Sequence, residues 1–521
     1  MIHSVRSLNG MVTAPHHLAA QAGLGVLRDG GSAVEAAVAV AATLAVVYPH
    51  MTGIGGDGFW LIAEPDGLVH AIDACGGAAA KADLSLYAGL EAIPWRGPLA
   101  ANTVAGTISG WEAALDGGTL PLSRLLRDAI ALAERGVAVT RGGAAIAAAK
   151  GAELRVQPGA YAAVFEPGGR PLVEGDVLRQ PVLAATLGRL AEEGLASFYS
   201  GALAADIAAD LADLESPVSA DDLAAHAVSR PAPLAVGIAG ARLFNTAPPT
   251  QGIASLLILA LYDRLRGEGE FSHVHGLVEA TKQAFLWRDR HCGDRAFATA
   301  DAQALLDDAA ALDAMTARID PARALPWPQP ASAGDTTWFA CADGEGRVVS
   351  CIQSTYFEFG SGLVLPRTGV TWQNRGSSFR LAADGWNALK PGRKPFHTLN
   401  PALARFDDGR VMAYGTMGGE GQPQTQAAIF TRYADGMGLQ EAISAPRWLL
   451  GRTWGEESTS LKIEDRFAPD LIEQLRVAGH QVELMAPFTA TMGHAGAIVR
   501  HPGGVLEGAT DPRSDGQVAA W

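Results

Sequence analysis

The chain has 521 residues, 48% of them hydrophobic, so it can bury a large core and is too long for one small domain. It carries 40 basic and 55 acidic side chains, which give a formal net charge of -15. Nucleic acids and anionic membranes both require a basic binding surface, so this balance argues against either as a partner. A small neutral or anionic substrate remains compatible, because one local arginine can outweigh the overall field.

The first residues run into polar sequence without an apolar segment or a small-residue cleavage site, which predicts a cytoplasmic protein. The most apolar stretch, 33–48, is too short and is interrupted by a charge, so no membrane span is predicted. The cysteines lack CxxC spacing and pairing with histidine. This spacing argues against a disulfide scaffold or a zinc site, and we expect reduced thiols, mostly in the core, at Cys75, Cys292, Cys341 and Cys351. The expected chemistry requires no metal and no organic cofactor.

Helical spacing of apolar residues dominates the first two thirds of the chain. Residues 16–27 and 32–47 predict a helical hairpin, since a glycine pair and a capping serine separate them. Alanine-rich segments between 120 and 225 predict further helices, followed by two more over 252–265 and 274–290. The first of these two is apolar nearly all round, which predicts a buried helix.

From Thr336 onward the pattern changes to strands. The β-rich runs 336–342 and 347–354 flank the short turn DGEG at 343–346 and predict a hairpin. The Pro-rich segment 326–333 upstream can continue neither a helix nor a central strand, which predicts an exposed linker. Further strands are expected over 411–416, 495–500 and 505–508.

Two glycine clusters each allow more than one interpretation. The GIGGDG motif at 53–58 follows a predicted helix and lacks the lysine of a phosphate loop. A tight turn before a strand at 59–63 is therefore favoured over a nucleotide site. The run GTMGGEG at 415–421 ends a predicted strand, where successive N–H groups can form an anion-binding nest. This second cluster fits a turn and an oxyanion hole equally well.

The predicted hairpin gives Thr336 neighbours that could support chemistry. In either of two adjacent registers Gln353 and Ser354 lie opposite Thr336, so the serine hydroxyl can reach it. A buried threonine is usually only structural. If the bond between Asp335 and Thr336 were cleaved, the new α-amine, with an ordinary pKa near ~8, could act as base for the threonine's own hydroxyl.

This pattern resembles the γ-glutamyltransferase family of N-terminal nucleophile hydrolases, over nearly the whole chain. The ordered motifs that carry the resemblance are HHLAA at 16–20, GGSAVEAA at 30–37, PHMTGIGG at 49–56, PPTQG at 248–252, EATKQAF at 279–285, DTT at 335–337, GG at 418–419, APR at 445–447 and DPRS at 511–514.

The resemblance implies a proenzyme that cleaves itself between Asp335 and Thr336. Cleavage would give a large, mostly helical segment, 1–335, and a small segment, 336–521, interwoven in one fold. That fold would be of the α+β class, an αββα sandwich of two stacked antiparallel sheets flanked by helices. The product would be an α–β heterodimer, with a dimer of such heterodimers as an open alternative.

The resemblance also implies roles for single residues. Thr336 matches the nucleophile, and Ser354 stands where the family has a supporting threonine. Gly418 and Gly419 match the oxyanion hole. The arginine that holds the α-carboxylate of a γ-glutamyl substrate should follow Asp73, and this chain has none there.

Other substrate contacts of the family are replaced as well. Tyr356 stands where the family has an asparagine, and the acidic residue that binds the substrate amine is replaced near Ser378. Two consecutive serines appear here as His397 and Thr398. A γ-glutamyl donor would lose most of its contacts, while the hydrolytic residues remain.

Arg375 is the candidate for a new substrate contact. A loop arginine is most often solvated or part of a structural ion pair. Its planar fork nevertheless suits a two-point contact with a carboxylate, and the missing family arginine would leave a substrate's anionic end unpaired. The expected substrate-binding residues are Arg375, Gln353, Tyr356, Asn374, His397 and Thr398.

Three longer runs resemble the oxamate amidohydrolase branch of the family: WQNRG at 372–376, PFHTLNP at 395–401 and GGEGQPQTQ at 418–426. That branch hydrolyses oxamate to oxalate and ammonia in purine catabolism. The resemblance thus implies a self-processing amidohydrolase for a small carboxylate-bearing amide. Two alternatives stay open: a γ-glutamyl hydrolase, transferase or acylase of the same family, and a non-catalytic binding protein that is never cleaved.

Overall fold

The structure is a computed structural model of the chain, and it describes residues 3–327, 335–451 and 459–521. Most of the Pro-rich segment that the sequence predicts to be a linker, 326–333, lies outside these ranges. Among the described residues, no helix combines the length and the apolar character needed to span a membrane. Each of the four cysteines is a buried free thiol, as the sequence predicts.

The described strands vary from two residues to nine. In chain order they are β1 (Val5–Ser7), β2 (Gly10–Ala14), β3 (Asp57–Ala63), β4 (Val69–Ala74), β5 (Val137–Ala138), β6 (Val177–Leu178), β7 (Leu234–Ile238), β8 (Ala241–Asn245), β9 (Asp335–Asp343), β10 (Val348–Tyr356), β11 (Ala402–Phe406), β12 (Val411–Thr416), β13 (Trp448–Leu450), β14 (Leu461–Glu464), β15 (Val482–Met485), β16 (Ala495–Arg500), β17 (Leu506–Thr510) and β18 (Gln517–Ala520).

The described helices fall mostly before β9. In chain order they are α1 (His17–Arg28), α2 (Ala33–Val47), α3 (Thr107–Ala114), α4 (Leu122–Arg135), α5 (Arg141–Arg155), α6 (Tyr161–Phe165), α7 (Pro181–Glu193), α8 (Gly201–Asp213), α9 (Ala220–Ala224), α10 (Gly252–Leu265), α11 (Gly269–His291), α12 (Ala302–Asp307), α13 (Ala309–Thr316), α14 (Gly421–Ala434), α15 (Leu439–Ser444) and α16 (Pro469–Val477).

Two large antiparallel sheets form the centre of the molecule. Their strand orders are β1-β17-β16-β12-β11-β8-β7 and β18-β2-β9-β10-β3-β4. Each sheet contains strands from before and after position 336, so the two segments of the chain are interleaved in both. Two small sheets, β13-β14-β15 and β5-β6, lie apart from them.

The alternation of side chains along β9 shows how the layers stack. Trp338 and Ala340 pack with Ile498 of the seven-stranded sheet, in a core between the two sheets. Phe339 and Cys341 point the other way and pack among helices that include α1, α2 and α4. Helices α10, α11 and α14 cover the outer face of the seven-stranded sheet. The predicted αββα sandwich is therefore confirmed.

The two predicted hairpins are both present. Helices α1 and α2 are joined at Gly30 and Gly31, and Ser32 begins α2 in a capping box: its hydroxyl accepts the Glu35 N–H, and the Glu35 carboxylate accepts the Ser32 N–H. Strands β9 and β10 are joined by the predicted turn. The predicted elements 252–265, 411–416 and 495–500 match α10, β12 and β16 at both ends, whereas β17 extends to Thr510 and α11 begins five residues before its predicted start.

Candidate active site

Thr336 lies at the end of β9 that is remote from the hairpin turn, and it is completely buried. The register between β9 and β10 shifts between Gln353 and Tyr356, which marks a β-bulge. Ser354 lies in this bulge, and its hydroxyl accepts the backbone N–H of Tyr356 at 2.8 Å. The hairpin thus brings Ser354 and Thr336 together at its open end.

Helix α14 begins beside Thr336. The side-chain amide of Gln422, on the first turn of α14, donates to the Thr336 hydroxyl oxygen at 3.3 Å. Asn400 in turn donates to the Gln422 carbonyl oxygen at 3.0 Å. These contacts orient the threonine hydroxyl and place it at a helix N-terminus, where developing negative charge is favoured.

Gly418 and Gly419 form the loop between β12 and α14. Their φ angles are 116° and 51°, so the loop uses left-handed backbone that a side chain would strain. The Gln251 side chain donates to the Gly419 carbonyl oxygen at 2.7 Å, which fixes the loop from outside. Within the described parts of the chain, neither glycine N–H donates to a protein acceptor. Both N–H groups are therefore available to an anion.

A buried arginine braces this loop from α11. One Arg288 nitrogen donates to the Gln251 carbonyl oxygen at 3.0 Å, and another lies 3.2 Å from a Glu420 carboxylate oxygen. The sequence reasoning missed Arg288 as a site residue. The sequence motifs indicate only one of the two partners. Gln251 belongs to the PPTQG motif, whereas Arg288 lies three residues after the EATKQAF motif.

Arg375 is buried, with 1% of its surface exposed. Its Nη1 donates to the Thr398 hydroxyl oxygen at 3.1 Å, and its guanidinium carbon lies 3.4 Å from the centre of the Tyr356 ring. Its Nε and Nη2 have no hydrogen-bond partner among the described residues. Burial lowers the pKa of Arg375. Burying a cation while two of its donors lack hydrogen bonds costs free energy, so this arrangement favours the binding of an anion.

Asp57 and His397 form a buried pair beside Arg375. His397 Nε2 lies 3.0 Å from Asp57 Oδ2, and His397 Nδ1 has no partner among the described residues. Burial raises the pKa of Asp57 to about 7, although N–H groups of Gly76, Gly106 and Gln373 donate to its carboxylate. Burial, and then the charge of Arg375, holds the pKa of His397 well below its ordinary value. The imidazole is therefore neutral.

Hydrogen bonds connect the arginine to the threonine. Thr398 accepts from Arg375 through its hydroxyl and from Asn400 through its carbonyl oxygen, the latter at 2.9 Å. Asn400 donates to Gln422, which donates to Thr336. The candidate nucleophile and the candidate anion site are thus linked by three intervening residues.

Two expected substrate contacts lie elsewhere. The Gln353 amide contacts Thr52 and Trp111 at 3.1 and 3.0 Å, on the helix-covered face of the sheet. Successive residues of a strand point to opposite faces, so Gln353 cannot share the face of Ser354. Asn374 accepts from Phe357 N–H and donates to the Trp95 carbonyl oxygen, and it shapes the loop beneath Arg375.

The GIGGDG motif at 53–58 forms the turn before β3 and also supplies a residue of the site. It leads into β3 as predicted, and its aspartate is the Asp57 of the buried pair. A Cβ at Gly56 would collide with the Ser354 carbonyl oxygen, so the glycine allows the close approach of the two segments. The sequence reasoning interpreted this motif only as a turn and missed the acid.

Asp57, Cys75 and His397 also offer ligand atoms within 4.8 Å of one another, as a metal site would. A cation there would face the positive charge of Arg375, which acts on all three groups. Burial also raises the pKa of the Cys75 thiol well above its ordinary value, which disfavours the thiolate that a metal needs. These residues are therefore better suited to an anionic ligand.

A cleft of about 780 Å³ opens at the opposite end of the hairpin, around Glu64, Asp343 and Arg347. The Asp343 carboxylate there accepts N–H groups of Ala33 and of its own turn, so its acceptors are satisfied within the fold. At the other end of the hairpin, Arg375 and His397 keep buried polar atoms that have no partner among the described residues. Chemistry is therefore expected at the Thr336 end.

Comparison with known proteins extends the likeness to the whole chain. Residues 19–521 match the family model for gamma-glutamyltranspeptidase. The chain is 54% identical to an oxamate amidohydrolase proenzyme of Klebsiella pneumoniae subsp. pneumoniae, and 41% identical to the glutathione hydrolase-like YwrD proenzyme of Bacillus subtilis, over 99% of both chains in each case. The crystal structure of a cephalosporin acylase from Bacillus halodurans is 33% identical, with a TM-score of 0.92 over 100% of this chain and 97% of that one.

Proposed function

The chain belongs to the gamma-glutamyltranspeptidase family of enzymes, and from that premise we propose that it is a self-processing amidohydrolase with Thr336 as nucleophile. Its substrate is a small amide that carries a carboxylate, and oxamate fits best. One observation carries this proposal: Arg375 is buried with two donors that find no partner in the described parts of the chain, and hydrogen bonds connect it to Thr336.

Maturation begins with the Thr336 hydroxyl. Its Oγ attacks the carbonyl carbon of Asp335, the peptide C–N bond breaks, and the amide becomes an ester that water hydrolyses. The products are a new carboxylate on Asp335 and a free α-amine on Thr336. The Gln422 contact to the hydroxyl oxygen supports this role, because it holds the oxygen in place. The two chains then form a heterodimer, since both large sheets contain strands of each.

Hydrolysis uses the same hydroxyl a second time. The α-amine of Thr336 takes the hydroxyl proton, Oγ attacks the amide carbon, and the amine returns the proton to the departing ammonia. Water then releases the acid from the acyl-enzyme. The N–H groups of Gly418 and Gly419 stabilise the oxyanion, and loss of one such donor typically costs on the order of 10²-fold in rate.

The anion site favours a carboxylate without a neighbouring amine. Arg375 offers Nε and Nη2 to two carboxylate oxygens, as in bidentate guanidinium pairs. A γ-glutamyl substrate would find no arginine after Asp73 for its α-carboxylate and no acidic residue near Ser378 for its α-ammonium, and the Ser378 hydroxyl donates to the Phe396 carbonyl oxygen. Oxamate has its carboxylate directly beside the amide and no amine. A relative with 54% identity carries the same activity in its name.

The test is a substrate panel on one preparation of matured protein: oxamate, glutarylamides and γ-glutamyl anilide. A γ-glutamyl substrate lacks partners for two charged groups, at roughly 1.5 to 3 kcal/mol each. We therefore expect kcat/KM for oxamate to exceed that for γ-glutamyl anilide by at least about two orders of magnitude. Comparable rates, or transfer to a dipeptide acceptor that competes with hydrolysis, would contradict the proposal.

A further inference from the structure

A second buried polar cluster lies outside the active site, where α11 meets the end of α16. His275, Glu279 and Lys282 stand on one face of α11, because positions four and three residues apart align on a helix. Each is at most 2% exposed. His480, which follows α16, completes the cluster, with its Nε2 2.9 Å from His275 Nδ1. Two of these residues belong to the EATKQAF motif, which the active site does not use.

The cluster binds the backbone of one segment, residues 320–325. Lys282 donates to the Leu325 carbonyl oxygen at 2.6 Å, and Glu279 accepts the Leu325 N–H at 3.1 Å. His275 Nε2 lies 2.8 Å from the Asp320 carbonyl oxygen. The segment also pairs directly with the end of α16, through the N–H of residue 324 and the carbonyl oxygen of residue 478, at 2.7 Å.

The same side chains do not make a good metal site, although three of their ligand atoms lie within 4.8 Å of one another. The Lys282 ammonium already lies 2.6 Å from the Glu279 oxygen that a metal would need. His275 and His480 are hydrogen-bonded to each other. Burial lowers the pKa of Lys282, and the charge of Glu279 opposes this shift. The Lys282 ammonium therefore occupies the position beside Glu279 that a metal ion would need.

The position of the segment suggests what the cluster is for. Leu325 is separated from the bond between Asp335 and Thr336 by residues 326–334, and β9 fixes the chain on the other side of that bond. We propose that the cluster of His275, Glu279, Lys282 and His480 is a positioning site for self-cleavage, which anchors the chain upstream of the scissile bond. This inference rests on the proposed function.

Loop entropy gives the size of the effect. Between Leu325, the last residue that the cluster binds, and the start of β9 the sequence has the nine residues 326–334. If the pairing of Ala324 with Ala478 is lost together with the cluster, the nearest upstream helix is α13, which ends at Thr316, and the number of residues before β9 doubles to the eighteen of 317–334. Doubling a flexible loop lowers the probability of closure by about threefold. Self-cleavage should therefore slow by at least about threefold when the anchor is lost.

The test is the double variant Glu279→Leu/Lys282→Met, which removes both charges together, so that no unpaired charge is left buried. The control is Arg189→Met/Glu193→Leu, which removes a partly exposed ion pair of 2.9 Å on α7, together with the contact of Arg189 to Asp206, and leaves the segment 320–325 untouched. A denaturing gel follows the appearance of two chains from freshly made precursor. We expect slower cleavage in the first variant alone, and an unchanged kcat and KM once its precursor has matured.

A second variant tests the anchor from the other side. Ala324→Pro deletes the N–H that donates to the Ala478 carbonyl oxygen and leaves α11 untouched, so it should also slow cleavage. If either variant folds and is cleaved at the wild-type rate, the proposal that the cluster anchors the segment is wrong, and the proposed function is unaffected. A wild-type chain that is never cut before Thr336 overturns the proposed function instead.

Discussion

Arg375 is the residue on which the substrate assignment depends. Its guanidinium is buried, and its partners among the described residues are the Thr398 hydroxyl and the face of the Tyr356 ring. Neither replaces a counter-ion, and burial accordingly lowers its pKa. A cation kept in this state destabilises the empty protein, and a bound carboxylate would remove much of that penalty.

We therefore expect Arg375→Gln to lower kcat/KM for oxamate by about 10²-fold or more, since charged hydrogen bonds contribute roughly 1.5 to 3 kcal/mol each. Its thermal midpoint should stay the same or rise, because an uncompensated buried charge is lost. The control is Arg380→Gln, five residues along the same loop, where the arginine is exposed and lies over Trp386. Unchanged kinetics in Arg375→Gln would make this residue structural.

Asp57 gives the anion site a pH dependence. Burial raises its pKa to about 7, so the carboxyl is neutral below that pH and negative above it. A negative Asp57 weakens the attraction of Arg375 for an anionic substrate, so KM for oxamate should rise as the pH passes upward through about 7. The raised pKa also makes the free energy of unfolding depend on pH. The contribution of neutral Asp57 to stability is fully present below its ordinary pKa of about 4 and should be lost as the pH rises through about 7.

Asp57→Asn keeps a neutral side chain at every pH and should remove both effects. Steady-state kinetics for oxamate and thermal melts, each repeated between about pH 5 and pH 9, measure them. If the variant retained the wild-type rise of KM with pH, a group other than Asp57 would be responsible.

At the scale of elements, the sequence predicts best what is encoded locally. The α1–α2 hairpin follows from apolar periodicity and the Ser32 cap, and the β9–β10 hairpin follows from two β-rich runs around a short turn. Strand ends are predicted to within two residues, and the largest error is at a helix, since α11 begins five residues before its predicted start. The side chain of Gln353, expected among the substrate contacts, lies on the helix-covered face of its sheet, where its amide contacts Trp111 and Thr52.

The buried pair of the site could not be predicted from spacing. Asp57 and His397 are 340 positions apart, and they meet only because β3 packs beneath the loop that precedes β11. The pKa of Asp57 depends on burial that no local pattern encodes. Thr336, Gly418 and Gly419 were accessible from the sequence because their motifs resemble a known family, not because periodicity identifies them.

At the scale of the whole molecule, the position of Thr336 matters most. Each large sheet contains strands from both sides of this residue, so cutting the chain before β9 would leave the two sheets intact. The cut would free an amine within the fold, at the N-terminus of a strand already held by β2 and β10. The proposed maturation therefore needs no change in architecture.

The most direct test is the intact mass of the purified protein, together with the N-terminal sequence of each chain. We predict two chains, the smaller of which begins at Thr336, and a single uncut chain without amidase activity for Thr336→Ala. A wild-type protein that hydrolyses oxamate while remaining one uncut chain, or that is cut at another bond, would contradict the account.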